Sequence, residues 1–238
     1  MTAEEFSNNF DTLVSSYRRF KDFDNTESQD TIEFNEYEKS LFLTNAQRDL
    51  VLSYYSGNNQ LRQSFEGSEE FRRYLESLVK TKEYLNTDKI TTEIGVSDTS
   101  IFYKLPEDLI FITFEQIIYN DASLKCYNQR RTLVYPVTQD EYNKVKDNPF
   151  RGPSKYKVLR LDFGDNIVEI ISNYIIGKYI IKYLSNPSPI ILEDLPNNLK
   201  IDNISTKTEC KLNPALHNVI LENAVRKALN TKGYNIKE

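Results

Sequence analysis

Arg151, Lys155, Lys157 and Arg160 fall within ten residues that hold no acid, and Phe150 and Tyr156 sit among them. Cations spaced along an extended segment neutralise successive phosphates, and interleaved rings offer platforms for bases, so this spacing suits nucleic-acid contact. An edge strand blunted with Lys and Arg has the same composition. Asp147, Asp162 and Asp165 flank the run, and Arg with aromatic residues is also what protein interfaces enrich. The residues that qualify for contact with a subunit or other partner are Phe150, Arg151, Lys155, Tyr156, Lys157 and Arg160. Leu216 and Ile220, on the apolar stripe of the last helix, join them.

Other reactive side chains find no company. His217 is the sole histidine and lies near the start of that last helix. As a general base it needs a nucleophile and an orienting carboxylate, and neither is identifiable, so it reads as a helix-surface or interface residue. Cys126 and Cys210 form no Cys-x-x-Cys pair and have no ligand spacing with His217, which argues against a metal. The seven glycines write neither G-x-x-x-x-G-K nor G-x-G-x-x-G, so no nucleotide cradle is expected. Acid pairs such as Glu4–Glu5, Glu69–Glu70 and Asp140–Glu141 sit in expected first turns of helices, where the helix dipole favours them. The chain reads as a non-enzyme without cofactor.

Those residues must be carried by 238 residues, enough for one sizeable domain or two small ones. A net charge of −5 argues against nucleic-acid binding over the whole surface, though not against a local basic patch. Sixteen Tyr and thirteen Phe accompany no Trp. Tyrosine suits half-buried sheets and interfaces, while AT-rich codon usage accounts for the same bias. The acidic, amphipathic start is not that of a signal peptide, and Lys178 and Lys182 interrupt the longest apolar run, so no membrane span is expected.

The first third has helical periodicity. Thr2 and Glu5 have capping-box spacing ahead of Phe6, Phe10, Leu13, Tyr17 and Phe20. Residues 24–30 form a polar connector. A second helix begins near Asn35, a third is expected behind a Thr44/Gln47 capping box, and Gly57 stops it. Ser68 and Glu70 open a fourth, with Phe71, Leu75, Leu78 and Val79 on one face.

Residues 81–100 are polar and Thr-rich, a linker or short hairpin. Beyond them β-branched and aromatic runs bounded by Pro, Asp and Asn predict strands. Thr138 caps one helix near 138–147, and Pro149 and Pro153 break it. Tyr156–Phe163 then alternates, with Gly164-Asp165-Asn166 turning it into a hairpin. Asn213 as N-cap and Pro214 at the first helical position begin an apolar stripe through Leu216, Ile220, Ala224 and Ala228. The expectation is α+β: an N-terminal helical bundle (1–80), a largely antiparallel β-sheet (101–212) and a C-terminal amphipathic helix (213–230) packing on the rest.

The segments MTAEEFSNNFDTLVSSY, NEYEKSLFLTNAQRDLVLSYYSG, FRRYLESLV, TLVYPVTQDEYNKVKDNPFRGP and LNPALHNVILENAVRKAL cover the chain from end to end. Together they resemble virion structural proteins of crAss-like and related Bacteroidales tailed phages, of the neck-and-tail ring or portal-adaptor kind. The resemblance implies a homo-oligomeric, twelvefold ring below the portal, with other neck and tail rings as neighbours and double-stranded DNA passing through its channel without specific binding. It implies a place in the virion after assembly in the host bacterial cytoplasm, and no catalytic residue. The segments Tyr135 to Pro153 and Asn213 to Leu229 carry over as shared scaffold. Residues 81–100 and 197–210 match nothing in that pattern.

Overall fold

The computed structural model describes residues 1–21, 33–59, 61–91, 95–196 and 198–234. They divide into two compact units, Met1–Leu78 with Pro187–Glu238, and Val79–Asn186. The connector at 24–30 lies outside the described residues. The architecture is α+β, as expected. No helix among the described residues is long and apolar enough to cross a membrane.

The helical unit begins with α1, Ala3–Lys21. The Thr2 hydroxyl accepts from Glu5 N at 3.2 Å while the Glu5 carboxylate accepts from Thr2 N at 2.9 Å, the reciprocal box read from the sequence. Phe6, Phe10 and Val14 are buried. Helix α2, Glu36–Ser56, opens with a second such box between Asn35 and Glu38 and ends where Gly57 takes φ +78°, a conformation that glycine adopts without strain.

One expected boundary is absent. No helix starts at Thr44, because α2 runs through it unbroken. The polar residues Ser40, Thr44 and Gln47 recur on one face of α2, and that face is buried. They bond the extended backbone at 188–192: Gln47 Nε2 donates to the Ser188 carbonyl at 3.1 Å, Thr44 Oγ1 accepts from Ile190 N at 3.1 Å, and Ser40 Oγ accepts from Leu192 N at 3.0 Å. A buried backbone segment outside a sheet needs such partners. The fourth helix also ends early. Helix α3, Glu69–Tyr74, is capped by Ser68, and Val79 already belongs to a strand. Helix α5, His217–Thr231, follows a short 3₁₀ turn over Pro214–Leu216 that Asn213 caps, and it packs on α1 and α2.

The second unit is a seven-stranded sheet with α4, Gln139–Val145, on it. Its strands are β1 Val79–Leu85, β2 Ser100–Lys104, β3 Leu109–Tyr119, β4 Arg131–Pro136, β5 Lys157–Gly164, β6 Ile167–Ile171 and β7 Ile176–Ser185. They lie in the order β1-β7-β3-β4-β5-β6-β2, and every neighbour is antiparallel except β4 and β5. That parallel pair needs a crossover, and residues 137–156, with α4 inside them, supply it. The two edge strands curl towards each other: the rings of Tyr84 on β1 and Tyr103 on β2 lie 5.4 Å apart, and Ile90 bridges to Phe102. Tyr103, Tyr119, Tyr179, Ile117, Val158 and Ile181 fill the inside of the curl. Tyr142 and Val145 of α4 cover Leu159, Leu161 and Ile171 on the other face.

Strand β1 takes part of the expected linker. It pairs with β7 over its whole length, Val79 opposite Leu184 to Leu85 opposite Lys178, yet buries only Tyr84. Lys80, Lys82 and Glu83 face water, the composition of a protected edge and one without apolar alternation. The β5–β6 hairpin is the expected one, with Asp165 and Asn166 both at positive φ.

Candidate assembly interface

The loop between α4 and β5 is held from several directions. Asn148 Oδ1 accepts from Phe150 N at 2.9 Å and from Arg151 N at 3.1 Å. Gly152 N donates to the Asn148 carbonyl at 2.7 Å, and a Cβ on Gly152 would lie 2.8 Å from both the Asn148 and Lys146 carbonyl oxygens. Only glycine fits that approach. Further along, Asn173 Nδ2 donates to the Pro153 carbonyl at 3.0 Å, the Tyr119 hydroxyl to the Ser154 carbonyl at 3.0 Å, and Thr132 Oγ1 to the Lys155 carbonyl at 3.3 Å. The loop is thereby tied to β3, to β4 and to the β6–β7 turn.

This frame presents Phe150 with 91% of its surface exposed, and Arg151 beside it is exposed as well. Beyond Pro153, Tyr156 meets Tyr127 edge to face at 5.2 Å, with their hydroxyls 2.8 Å apart. Lys155 Nζ lies 4.6 Å from the Tyr127 ring centre and 4.9 Å from that of Tyr156, and the Arg130 guanidinium lies 5.0 Å from the Tyr127 ring. Lys157 Nζ lies 4.7 Å from the Tyr135 ring. Each ring face attracts a cation through its quadrupole. The bond to Tyr127 and the nearby Lys155 ammonium make the Tyr156 hydroxyl more acidic than an ordinary phenol, and the same Tyr156 bond pushes Tyr127 the other way.

Lys155, Tyr156 and Lys157 thus lie against tyrosine rings, and Phe150 and Arg151 are exposed on the loop just before them in the chain. Arg160 does not join them. It is 9% exposed, and its Nη1 donates to Glu115 Oε1 at 2.6 Å, while Glu115 Oε2 accepts from the Tyr179 hydroxyl at 2.8 Å. Burial lifts the Glu115 carboxyl above its ordinary range, and the Arg160 charge and the Tyr179 bond oppose that. The alternation in β5 does not separate wet from dry faces, because the curl covers one side and α4 the other, so Val158 to Leu161 are all buried. Leu216 and Ile220 are buried too, inside the helical unit. A partner reaches none of these last three. His217 is likewise no surface residue: its Nε2 lies 3.1 Å from the Leu212 carbonyl and its Nδ1 2.7 Å from the Met1 amino group. Sequence reasoning did not place Tyr127, Arg130 and Tyr135 in the cluster. For Tyr135 the cause is the β4–β5 register, which sets Leu133 opposite Lys157 and brings the Tyr135 ring to Lys157 Nζ.

The sheet unit is curled, and it carries an exposed aromatic loop and cations seated on tyrosine faces. The sequence profile described as "Phage tail ring protein 3/4" matches residues 1–237, and the chain belongs to that family. It is 46% identical over 233 residues to a protein named "Ring protein 3" of Bacteroides phage crAss001, covering 98% of this chain and 96% of the relative. It is 31% identical over 238 residues to "Ring protein 4/5" of the same phage, covering 96% of this chain and 92% of that one. The protein is a ring structural protein of crAss-like phages, in agreement with the resemblance drawn from its motifs.

Proposed function

We propose that the chain is a structural subunit of a homo-oligomeric, twelvefold ring in the virion neck, joining the portal to the tail and extending the DNA channel. It assembles with the portal and other neck and tail rings in the host bacterial cytoplasm, with no cofactor and no catalytic step. The observation that carries this reading is the exposed Phe150 on a loop fixed by Asn148 and Gly152. Large apolar groups held out from a rigid frame mark protein contacts, and a heterologous ring sets one surface of each subunit against a different surface of the next. Family membership supplies the kind of assembly.

Mixing the protein with purified portal and imaging the product tests the reading. A ring coaxial with the portal is the expected class average. A monomer that forms no ring and ignores the portal would sink it.

The basic loop also invites a reading as a DNA contact. Against it, Arg160 is withdrawn into the core, and Lys155, Arg130 and Lys157 already occupy the ring faces on which bases would stack. The net charge of −5 suits a channel wall along which DNA slides. Gel retardation at physiological salt is therefore negligible on this reading, and submicromolar, salt-sensitive binding would overturn that part of it.

A further inference from the structure

The Phe150 loop lies in a stretch of strong local sign. Residues 125–157 hold eight Lys and Arg against three Asp and Glu, although the chain as a whole is acidic. The complementary surface lies in the helical unit of the same sequence. Residues 1–17 and 33–38 hold six acids and no Lys or Arg. Ser7 Oγ donates to Glu36 Oε1 at 2.8 Å, which brings α1 and the first turn of α2 side by side. Glu4, Glu5, Asp11 and Glu33 are exposed there. The neighbouring cation Lys39 is buried and held by Asp11 at 2.6 Å and Glu36 at 2.8 Å, so its charge is used within the unit. Lys207, 3.6 Å from Glu4, is half-exposed at the rim.

We infer that the loop carrying Phe150, Arg151 and Lys155 of one copy docks on the acidic surface formed by the N-terminal half of α1 and the start of α2 of a second copy. The inference rests on the reading of the chain as a ring subunit, and it assigns the two unlike surfaces that a head-to-tail contact requires. Cations seated on tyrosine rings have their stems ordered beforehand, so less freedom is lost when they meet carboxylates. Opposite local charge steers the encounter and sets its register, and Phe150 supplies the apolar anchor. Because the contact is heterologous, every copy offers both halves, and a closed ring leaves neither unused.

Charge exchange in the full-length chain tests this by analytical ultracentrifugation at low and physiological salt. One variant carries R151E and K155E, the other E4K and E33K. All four positions are on the surface and outside the helix caps, and circular dichroism checks that each variant folds. Each variant alone should self-associate at least about tenfold more weakly than wild type, since like charges now face each other. An equimolar mixture should regain association, because the reversed loop of the first variant meets the reversed helical surface of the second, and the unchanged loop of the second meets the unchanged surface of the first. F150A should weaken wild-type association without altering its salt dependence.

Several outcomes overturn the assignment. Self-association of wild type that the reversals leave unchanged, or a mixture that fails to recover, leaves the ring reading standing and removes these surfaces from it. A wild type that stays monomeric at every concentration removes the second-copy contact, and assembly with the portal then judges the ring role separately. Loss of double-stranded DNA binding in R151E/K155E, with self-association intact, assigns the loop to nucleic acid instead.

Discussion

Arg160 on β5 reaches across β4 to Glu115 on β3, guanidinium to carboxylate at 2.6 Å, in the buried interior of the curled sheet. The Tyr179 hydroxyl from β7 completes the carboxylate's partners at 2.8 Å. Strands that are not neighbours in the sheet are tied by one polar network. Removing one member leaves the other buried and uncompensated, which costs about 3–5 kcal/mol. R160M should therefore lower the unfolding free energy by about that much in urea titrations. The double variant R160M/E115L should recover most of the loss, as apolar replacement of a buried pair is often neutral. A double variant no better than R160M would show that the network has no such compensation.

The contact of Thr44 with Ile190 makes a second prediction. Thr44 Oγ1 accepts from Ile190 N at 3.1 Å and lies 3.3 Å from the Ile190 carbonyl, with both residues buried. T44V keeps the shape and removes both bonds, leaving backbone groups without a partner. The expected cost is about 1–3 kcal/mol, read from the denaturation midpoint, whereas T44S should lose less because it keeps the hydroxyl. Equal losses for the two would point to packing by the methyl group instead.

These cases show where the sequence was legible. The capping box at Thr2, the helix start near Asn35, the Asp165-Asn166 hairpin and the Asn213-Pro214 start all rest on residues close in sequence, so spacing alone exposes them. Thr44 misled because its partner is 146 residues away, and a polar stripe serving a distant backbone has the spacing of a cap. Strand β1 was hidden for the opposite reason: it buries a single side chain, so its pairing with β7 leaves almost no apolar trace. In β5 the alternation was visible, but nothing local tells that α4 covers its second face and takes Arg160 out of the basic surface. The same long-range register put Tyr135 beside Lys157. Composition could nominate the loop, and only the fold could choose its members.

The single histidine supplies a pH dependence. Burial holds the His217 imidazole below its ordinary value of 6.5, the Met1 amino group adds to this, and the Leu212 carbonyl contact opposes it. The folded state therefore takes up this proton at lower pH than the unfolded state does. Stability from this group is fully present above about pH 6.5 and falls as pH drops through that value towards the folded-state one. Thermal midpoints of wild type should decline between pH 7 and 5 more steeply than those of H217Q. Parallel profiles would remove His217 as the cause.

The loop geometry separates two neighbouring positions that a sequence reading would rank together. Phe150 touches little of its own chain, so F150A should change stability by less than about 0.5 kcal/mol, as exposed substitutions do. Gly152 is buried against carbonyl oxygens 2.8 Å from where a Cβ would sit, so G152A must push the turn away from α4. Overpacking of that kind costs about 1–3 kcal/mol and displaces Phe150 and Arg151 together. Chemical denaturation should then show a loss for G152A alone, while ring formation falls in both variants. Assembly that fails in G152A but survives in F150A would shift the anchor from the phenyl ring to Arg151. Stability loss in F150A comparable with that in G152A would mean that the ring is packed against the protein after all, and that the loop is core rather than contact.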